Sequence, residues 1–586
     1  MHNLYIQYLN SMNNANSSND NAIAESQISS PFYDQIRVER ELGDYLIELM
    51  KKEPTLIILT GHAGDGKTSL LHQVLRKLDL IKPQDVLKVK DTCQSSQING
   101  PLLYIKDMSE LTLDEQVEFL KDGIDNRNNG GSSIIISNTG PIIDAFKNLE
   151  GQFPTNTTLD KIEMDILKMM DENAGHPDYI GDYKVVLINL ARIDNTDLVP
   201  KMMENLLQPT LWSDCESCLN ADRCSIYNNY KTIKSNETSI KVFVENFYRW
   251  LYETDKRLTI RQILAHLTYS ITGNLDCDKL NPENSDQNLF DYHFANLFFG
   301  YIGTHSSADA LKIRAIQEIQ LLKMDEKELP HNYDLFVKNN FGKLSENVRH
   351  LAEYVWKKEM SLYSWGSYSL NDDDAPYLLR KSIRRMEMLF GMFTEEEYKN
   401  LLSSIFSPTY SIFLSIRNEK LGSREKRNVE QMLVRALNTL LVGNAEGINK
   451  DKYLYLPLTQ SWDGNQNVQL LLGKVDEREI SIVQSYTQSL FGSEKGHYRL
   501  EISFGKIKDR FPISLLLLDY FDKLSRGSVS TKLNPSLSHG VDKMKAQLYK
   551  TYRFEEDEQN IKVLVQTLQG PKMIELEIHD NKLYID

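Results

Sequence analysis

The sequence has little cysteine, no long apolar run and no excess of basic residues. Only 5 of its 586 residues are cysteine, which is too few for the disulfide framework of a small secreted protein. The longest apolar runs, such as residues 513–518, fall far short of the ~20 residues that cross a bilayer. The N-terminus lacks the Lys/Arg-plus-apolar pattern of a signal peptide. These absences predict a cytoplasmic protein with no membrane partner.

The charge balance is acidic, with a formal net charge of −15. An acidic chain repels phosphates on average, so composition gives no support for a general nucleic-acid binder, and DNA contact would need a local basic patch. Hydrophobic residues make up 41% and charged residues 25% of the chain, which is typical of a globular protein. The length predicts about three domains.

Strand and helix patterns alternate between residues 31 and 230. Short apolar runs predict five strands, at 55–60, 86–89, 102–105, 134–136 and 185–190. Amphipathic helices are predicted between most of them. Strands that alternate with helices indicate right-handed crossovers and a doubly wound, parallel α/β sheet.

The remaining regions differ in pattern from this domain. Residues 1–30 are largely polar and predict a flexible N-terminal arm, although its apolar start could dock on the body or on a partner. Residues 231–290 predict a helical lid, and 291–450 a mostly helical middle domain. Residues 451–586 mix strand and helix patterns, which predicts a small α+β domain.

One segment matches the phosphate-loop motif G-x-x-x-x-G-K-[ST] without a departure. Its residues are Gly61, His62, Ala63, Gly64, Asp65, Gly66, Lys67 and Thr68. The glycines allow successive N–H groups to turn inward around a β-phosphate. The lysine would reach the β- and γ-phosphates, and the threonine hydroxyl would bind Mg²⁺. A chance match is the alternative, but an apolar strand precedes the loop and an amphipathic helix follows it, as an ATP site requires. We add Ser69, in the first turn of that helix, to the predicted ATP site.

A carboxylate at the end of a neighbouring strand is the second part of such a site. Asp107 follows the strand at 102–105 and is predicted to lie beside the Mg²⁺. Many hydrolysing relatives carry Asp followed at once by Glu, whereas Met108 follows here, and Glu110 is the nearest acid that could polarise water. Asp107 could instead cap the helix that starts near Leu111. ATP binding is therefore a safer prediction than ATP hydrolysis.

An amide and several arginines complete the candidate catalytic set. Asn138 ends the strand at 134–136 and resembles the sensor residue of AAA+-like ATPases, although it could merely form the turn that follows. Arg192, just past the strand at 185–190, could reach a nucleotide in its own chain or in a neighbouring subunit. Arg257 and Arg261 lie where a lid would be and could reach the nucleotide in the same ways, and Arg261 joins the predicted ATP site.

Three cysteines fall within ten residues, at Cys215, Cys218 and Cys224. The C-x2-C spacing is typical of one side of a tetrahedral zinc site, and Cys277, Cys93 or a histidine could supply the fourth ligand. An iron–sulfur cluster and three reduced thiols without metal are the alternatives.

Basic residues cluster at 380–385, 424–427 and 506–510. Each cluster could meet DNA phosphates. Acids lie close to each cluster, so solvated helix or loop faces are the simpler interpretation.

The order of these motifs resembles bacterial defence ATPases, and among them the ATPases of DNA phosphorothioation-dependent restriction. The resemblance covers roughly residues 34–275 and rests on six segments in order: GHAGDGKTSLL, LLYIKDMSEL, IIISNTG, VVLINLARID, C-x2-C-x5-C and RLTIRQILAHLTYSITG. Beyond them, NLFFG at 296–300 and RALNTLLVG at 435–443 are similar in kind only.

The resemblance implies an AAA+/STAND-like P-loop ATPase that uses ATP and Mg²⁺ and acts with other subunits of a restriction complex. Those partners would attack foreign DNA that lacks the host's backbone sulfur mark. The sequence shows no nuclease or helicase motif, so DNA would be contacted through the complex. The alternative is a regulatory or sensor module that binds ATP, hardly hydrolyses it, and uses binding to gate homo-oligomerisation.

Overall fold

The computed structural model describes most of the chain, in two compact units. The described residues are 3–13, 28, 30–149, 158–173, 175–277, 285–327, 341–364, 375–443, 452–458, 468–487, 496–528, 535–555, 560–567, 570–579 and 582–585. The first unit spans Met1–Glu397 with 489–495, and the second spans Tyr398–Gln488 with Gly496–Asp586. No helix within the described ranges is both long enough and apolar enough to span a membrane.

The described residues are rich in α-helix. In chain order the helices are α1 Leu4–Asn13, α2 Tyr33–Ile36, α3 Glu41–Lys52, α4 Lys67–Lys77, α5 Leu113–Asn128, α6 Thr139–Lys147, α7 Leu159–Glu172, α8 Val199–Leu206, α9 Pro209–Glu216, α10 Ser225–Ser235, α11 Glu237–Glu253, α12 Ile260–Thr272, α13 Ser285–Asp291, α14 Phe294–Phe298, α15 Arg314–Leu322, α16 Glu346–Ser364, α17 Ala375–Phe390, α18 Glu395–Ile405, α19 Tyr410–Asn418, α20 Ser423–Val442, α21 Leu515–Ser525 and α22 Pro535–Tyr552.

The strands form one large sheet in the first unit and two smaller sheets in the second, besides a two-stranded ribbon. They are β1 Leu56–Thr60, β2 Lys90–Gln94, β3 Pro101–Ile105, β4 Ser132–Ile136, β5 Asp178–Ile180, β6 Tyr183–Asn189, β7 Tyr301–Ile302, β8 His305–Ser306, β9 Tyr453–Pro457, β10 Val468–Asp476, β11 Ile480–Thr487, β12 His497–Phe504, β13 Phe511–Pro512, β14 Asn560–Thr567, β15 Gly570–His579 and β16 Lys582–Ile585.

The first unit is mixed α/β and is built on a six-stranded sheet in the order β2-β3-β4-β1-β6-β5. The four central strands run parallel, and β2 and β5 close the edges antiparallel. Ile58 pairs with Ile135 on one side and with Leu187 on the other. The carboxyl ends of the four parallel strands therefore meet along one edge of the sheet.

Apolar side chains cover both faces of this sheet. On one face, Ile57 and Leu59 belong to a buried cluster that includes residues of α3 and α4. On the other face, Leu56 and Ile58 belong to a cluster with residues of α5, α6 and α7. Alternate residues of β1 thus face opposite helical layers, which explains why the strand is wholly apolar apart from its last residue.

The edge of the sheet differs from the sequence prediction. A strand was expected at residues 86–89, but the structure places β2 at Lys90–Gln94, antiparallel to β3. Val86 and Val89 are exposed. Their apolar side chains therefore belong neither to a strand nor to the core. Polar β2 residues were overlooked because an edge strand needs no continuous apolar run.

The start of the predicted flexible arm is a packed helix. Tyr5, Leu9 and Met12 of α1 are buried, and the Tyr5 hydroxyl donates to the Leu206 carbonyl over 3.0 Å. The side chain of Asn10 donates to the Leu275 carbonyl over 2.8 Å. The expectation of a free arm is therefore corrected for α1, while most of residues 14–29 lie outside the described residues.

The region predicted as a lid consists mainly of two helices, α11 and α12. A chain reversal separates them, with Asp255 in a left-handed conformation (φ 59°). Thr259 begins α12 with a capping box completed by Gln262, and Gly273 ends it at φ 59°. Gly273 in the left-handed conformation thus ends the helix.

The second unit combines antiparallel sheets with helices. Its sheets have the orders β16-β15-β14-β10-β9 and β11-β12-β13. Residues of α20, α21 and α22 join the strands in one buried cluster, which includes Leu437, Phe521 and Leu548. This unit is α+β, as its sequence pattern indicated, but its described part begins with α-helices before residue 451.

Candidate nucleotide-binding site

The phosphate loop joins β1 to α4 at the edge where the parallel strands end. Gly61, Gly64 and Gly66 have φ values of 144°, 87° and 83°, a region that side chains other than glycine rarely adopt. A Cβ atom at Gly64 would lie 3.0 Å from the Cβ of Arg261. The loop thus needs glycine at these positions, both for its backbone shape and for close packing against α12.

Lys67 is buried in this loop, with its ammonium held by oxygen atoms. Its Nζ donates to the carbonyls of Gly61 and His62 over 2.6 and 3.2 Å and to Asn138 Oδ1 over 3.2 Å. Burial lowers the pKa of Lys67, and the carboxylates of Asp107 and Asp65 act against that shift. The ammonium therefore lies among the predicted metal-side acid, the predicted sensor and the loop.

Asp107 both caps its own turn and lines the site. It is the N-cap of a 3₁₀ turn at Met108–Glu110, and its Oδ1 accepts from the Ser109 backbone N–H over 2.8 Å. The Ser109 hydroxyl accepts from the Asn138 backbone N–H over 2.9 Å. Asp107 thus caps this turn and not the helix considered for it, since α5 begins at Leu113 with Thr112 as its N-cap. Capping of the turn is compatible with a place in the cavity. Ser109 links two strand ends, a role that no motif indicated.

Asn138 is the N-cap residue of α6, yet its side chain makes no capping hydrogen bond. The side-chain oxygen instead accepts from Lys67. Because β4 lies between β1 and β3, the end of β4 falls between the phosphate loop and the Asp107 turn. The amide is therefore directed toward the site rather than into a turn.

The candidate arginines occupy three different environments. Arg261 lines the cavity, and its backbone N–H donates to the Gly64 carbonyl over 3.2 Å. Arg257 instead pairs with Asp65 of the loop, Nη1 to Oδ1, over 2.8 Å. Arg192 is exposed and pairs with Asp171 over 2.5 Å. Arg192 is not among the residues lining this cavity, so the structure does not bring it to the site of its own chain.

These residues surround a cavity of about 410 Å³. Its polar lining joins the loop to the strand-end residues, to α12 and to the chain after α2: His62, Ala63, Gly64, Gly66, Lys67, Thr68, Ser69, Gln73, Lys106, Asp107, Ser109, Glu110, Asn138, Arg261, Arg37 and Arg40. Of the predicted phosphate-loop residues, Gly61 and Asp65 support the cavity from outside its lining.

The cavity also has an apolar side that the sequence did not indicate. Its lining residues there are Met12, Tyr33, Ile36, Val38, Leu198, Met202, Ile260 and Leu264. They come from α1, α2, the segment after α2, α8, α12 and the turn before α8. Since these elements are scattered along the chain and share no motif, only the folded structure could reveal this wall.

The three clustered cysteines lie at the end of α9, in the segment that follows it and at the N-cap of α10. Cys215 is buried in α9, and its sulfur accepts from the Asn3 side chain over 3.3 Å. The pKa of Cys215 is raised to about 11, chiefly by burial and also by the neighbouring Cys224, Cys277 and Cys218, while the hydrogen bond from Asn3 acts against this shift. Cys277, a proposed fourth ligand, therefore lies near the other three. Within the described residues, no three His, Cys, Asp or Glu side chains form a group that could hold a metal ion, so zinc stays a prediction.

Two of the basic residues in the cluster at 380–385 are buried and paired with acids. Arg385 is almost fully buried, and Nη1 lies 2.7 Å from Asp325 Oδ2. Lys381 is also buried and lies 2.9 Å from Glu326. The interpretation as a solvated face is wrong for these two residues, because paired acids 55 or more positions earlier in the chain surround them.

The other two basic clusters are exposed, at 424–427 in the first turns of α20 and at 506–510 after β12. Whether they contact DNA stays a prediction.

Comparisons of the chain with protein-family models, with curated proteins and with solved structures found no match.

Proposed function

We propose that the chain is a P-loop NTPase of the AAA+/STAND-like kind that binds ATP with Mg²⁺ in this cavity and hydrolyses it. One observation carries the proposal. The phosphate loop, a strand-end carboxylate, a strand-end amide and an arginine, which are up to 200 positions apart in sequence, line one cavity. A chance match to the loop motif gives no reason for this convergence.

The polar residues suit the parts of a triphosphate. The backbone amides of the glycine-rich loop and the N-terminus of α4 favour the β-phosphate. Lys67 and Arg261 supply positive charge for the γ-phosphate, and Thr68 and Asp107 supply oxygen ligands for Mg²⁺ or its water. Asn138 and Glu110 are left to orient and polarise the attacking water.

The apolar side of the cavity suits a nucleobase. The lining there presents the apolar side chains of Met12, Ile36, Val38 and Met202. A flat purine ring would pack against them and be removed from water. The chain that follows α2 is extended at Arg37 and at Arg40, on either side of Val38, and we infer that its backbone contacts a base edge. A site with a phosphate end and an apolar end fits a nucleoside triphosphate better than free phosphate.

The wider role follows from the resemblance of the motif order. We infer an ATPase subunit of a bacterial DNA-restriction or anti-phage defence complex, whose nucleotide state controls partner subunits that act on DNA. The acidic net charge of −15 supports contact with DNA through partners rather than through the bulk of this surface.

One observation favours the alternative, an ATP-gated sensor with little hydrolysis. Met108 occupies the position after Asp107, where hydrolysing relatives carry a second acid, and its side chain is fully buried. Glu110, the remaining acid, is exposed. In that case binding of ATP would gate homo-oligomerisation, and turnover would be negligible.

Binding and turnover assays on the purified chain test the proposal. We expect saturable binding of ATP with Mg²⁺ and steady-state hydrolysis, with turnover reduced by roughly 10²-fold or more in Lys67→Ala. Lys168→Ala, in an exposed pair with Glu172, is the matched control and should behave as wild type. Binding without turnover would select the sensor alternative, and no saturable ATP binding would refute both.

A further inference from the structure

The phosphate loop contains a buried carboxylate whose partner lies far along the chain. Asp65 is fully buried, and its Oδ2 accepts from the His62 backbone N–H over 2.8 Å. That bond closes the loop upon itself. The other carboxylate oxygen, Oδ1, accepts from Nη1 of Arg257 over 2.8 Å. One carboxylate oxygen of Asp65 thus stabilises the conformation of the loop, and the other binds an arginine outside the loop.

Arg257 also forms hydrogen bonds with the segment that follows β6. Its Nη2 donates to the Leu190 carbonyl over 2.8 Å, and its Nε donates to the Ile193 carbonyl over 3.3 Å. The guanidinium fork is therefore shared between the loop and the segment that follows β6. A planar, five-donor group is suited to such simultaneous contacts, and an ammonium is not.

The same stretch of chain touches the loop a second time. Two positions after Arg257, Thr259 begins α12, and the Arg261 N–H donates to the Gly64 carbonyl over 3.2 Å. A Cβ atom added at Gly64 would lie 3.0 Å from the Thr259 hydroxyl oxygen. The first turn of α12 therefore packs directly on the residue that precedes Asp65. Arg261, in that turn, lines the cavity.

We propose that Asp65 and Arg257 are a positioning pair that fixes the phosphate loop to the first turn of α12, so that loop amides and Arg261 meet the nucleotide as one preformed surface. The inference rests on the proposed ATP-binding function. It assigns to Arg257 a role in holding the loop rather than the direct nucleotide contact considered from the sequence. It also fixes the first turn of α12, within the lid region, to the loop, so nucleotide-dependent movement of that region would involve the residues outside this turn.

Pre-organisation explains why such a pair affects binding. Amides that already point inward need no ordering when the β-phosphate arrives, and a displacement of about 1 Å in such a site can cost roughly 10²-fold. Loss of Arg257 would leave the buried Asp65 carboxylate without the cation that hydrogen-bonds to it, which would drive the loop to rearrange toward water.

Four variants test the pair: Arg257→Gln, Arg257→Lys, Asp65→Asn and the double variant Asp65→Asn/Arg257→Gln. We expect Arg257→Gln to raise the Kd for both ATP and ADP by roughly 10- to 100-fold, since the loop holds the β-phosphate common to both. Arg257→Lys should recover part of the loss, because it restores charge to Asp65 but cannot reach both carbonyls. The double variant should lose less than the two single losses combined, because no charge is left unpaired.

The matched control is Arg478→Gln, which removes an exposed arginine from a pair with Asp476 in the second unit. It should leave both Kd values unchanged. Thermal unfolding without nucleotide and far-UV circular dichroism are measured on every variant. If Arg257→Gln binds ATP and ADP as wild type does, the inference is overturned while the proposed function stands. If the double variant shows strictly additive losses, or if binding falls only as far as the folded fraction falls, the pair is merely structural and the inference also fails. Absence of ATP binding by wild type would instead refute the proposed function itself.

Discussion

The ammonium of Lys67 donates directly to the side-chain oxygen of Asn138, 3.2 Å away, across 71 positions of sequence. The contact exists because β1 and β4 are parallel neighbours, with Leu59 paired to Ile136. Both strands end at the same edge of the sheet, immediately after these residues. The amide of Asn138 therefore contacts the lysine of the loop, and both side chains line the same cavity.

Removal of this amide should affect turnover more than binding. We predict that Asn138→Ala keeps the Kd for ATP within a few-fold of wild type and lowers turnover by roughly 10²-fold, since a group that orients water acts in the transition state. Steady-state kinetics with binding measured by calorimetry separate the two effects. Asn138→Asp should also weaken ATP binding, because a carboxylate beside Lys67 repels phosphates. Unchanged turnover in Asn138→Ala would remove Asn138 from the catalytic set.

Asp107 allows a test in which the fold of its turn is preserved. Asp107→Asn keeps an oxygen that accepts from the Ser109 N–H but removes the charge that attracts Mg²⁺. We predict that the Mg²⁺ concentration for half-maximal activity rises roughly 10- to 100-fold, while thermal unfolding without nucleotide is little changed. A titration of activity against Mg²⁺ at fixed ATP measures this. An unaltered Mg²⁺ dependence would leave Asp107 with its capping role alone.

The phosphate loop, Asp107 and Asn138 could be predicted because each directly follows an apolar strand. Parallel strands end at one edge, so local patterns were enough to bring these residues together. The partner of Asp65 could not be predicted in the same way, because Arg257 is 192 positions away and no spacing rule connects them. Arg192 was selected for its place after a strand, yet its side chain pairs with Asp171 outside the cavity.

For the helices and strands too, local sequence patterns predicted some elements and not others. Central strands were identified from their apolar runs, since both of their faces are buried. The edge strands β2 and β5 are polar or short and were missed. The helix α1 was assigned to a flexible arm because the polar sequence after it outweighed its apolar residues, whose burial depends on distant residues such as Leu206. Tertiary contacts of this kind leave no local periodicity in the sequence.

The buried arginine of α17 gives a prediction about stability rather than DNA binding. Arg385 contacts Asp325, the Asn296 side chain and the Gly303 carbonyl, and its guanidinium lies 4.0 Å from the Tyr301 ring centre. We predict that Arg385→Met lowers the free energy of unfolding by about 3–5 kcal/mol, because Asp325 then loses its closest cation. Chemical denaturation of the intact chain measures this.

An exposed basic residue is the control for that experiment. Arg427→Met, in the exposed cluster at the start of α20, should change the free energy of unfolding by less than about 0.5 kcal/mol. Adding Asp325→Asn to Arg385→Met should recover part of the loss. Equal stability of the Arg385 and Arg427 variants would contradict the buried-pair interpretation and reopen the cluster at 380–385 as a surface.

A buried histidine of α12 makes stability depend on pH. The Tyr248 hydroxyl lies 2.7 Å from His266 Nδ1, and the Phe298 carbonyl lies 2.9 Å from Nε2. Burial lowers the pKa of His266 from 6.5 to about 4. As the pH falls below 6.5, the unfolded chain gains a proton at this residue that the folded chain does not accept. The stabilisation is therefore complete above pH 6.5 and is lost as the pH falls toward 4, by on the order of 3 kcal/mol.

Substitution of His266 separates this contribution from general acid denaturation. His266→Gln removes the titrating group, so we expect a lower stability at pH 7 but a shallower decline between pH 6.5 and 4 than in wild type. The exposed His176 provides a matched control, and His176→Gln should keep the wild-type slope. Urea denaturation at a series of pH values measures the slopes. Because His293 is also buried, with its pKa lowered to about 3, the His266 variant should retain part of the dependence. A slope identical to that of wild type would show that His266 is protonated equally in the folded and unfolded chains, contrary to its burial against Phe298.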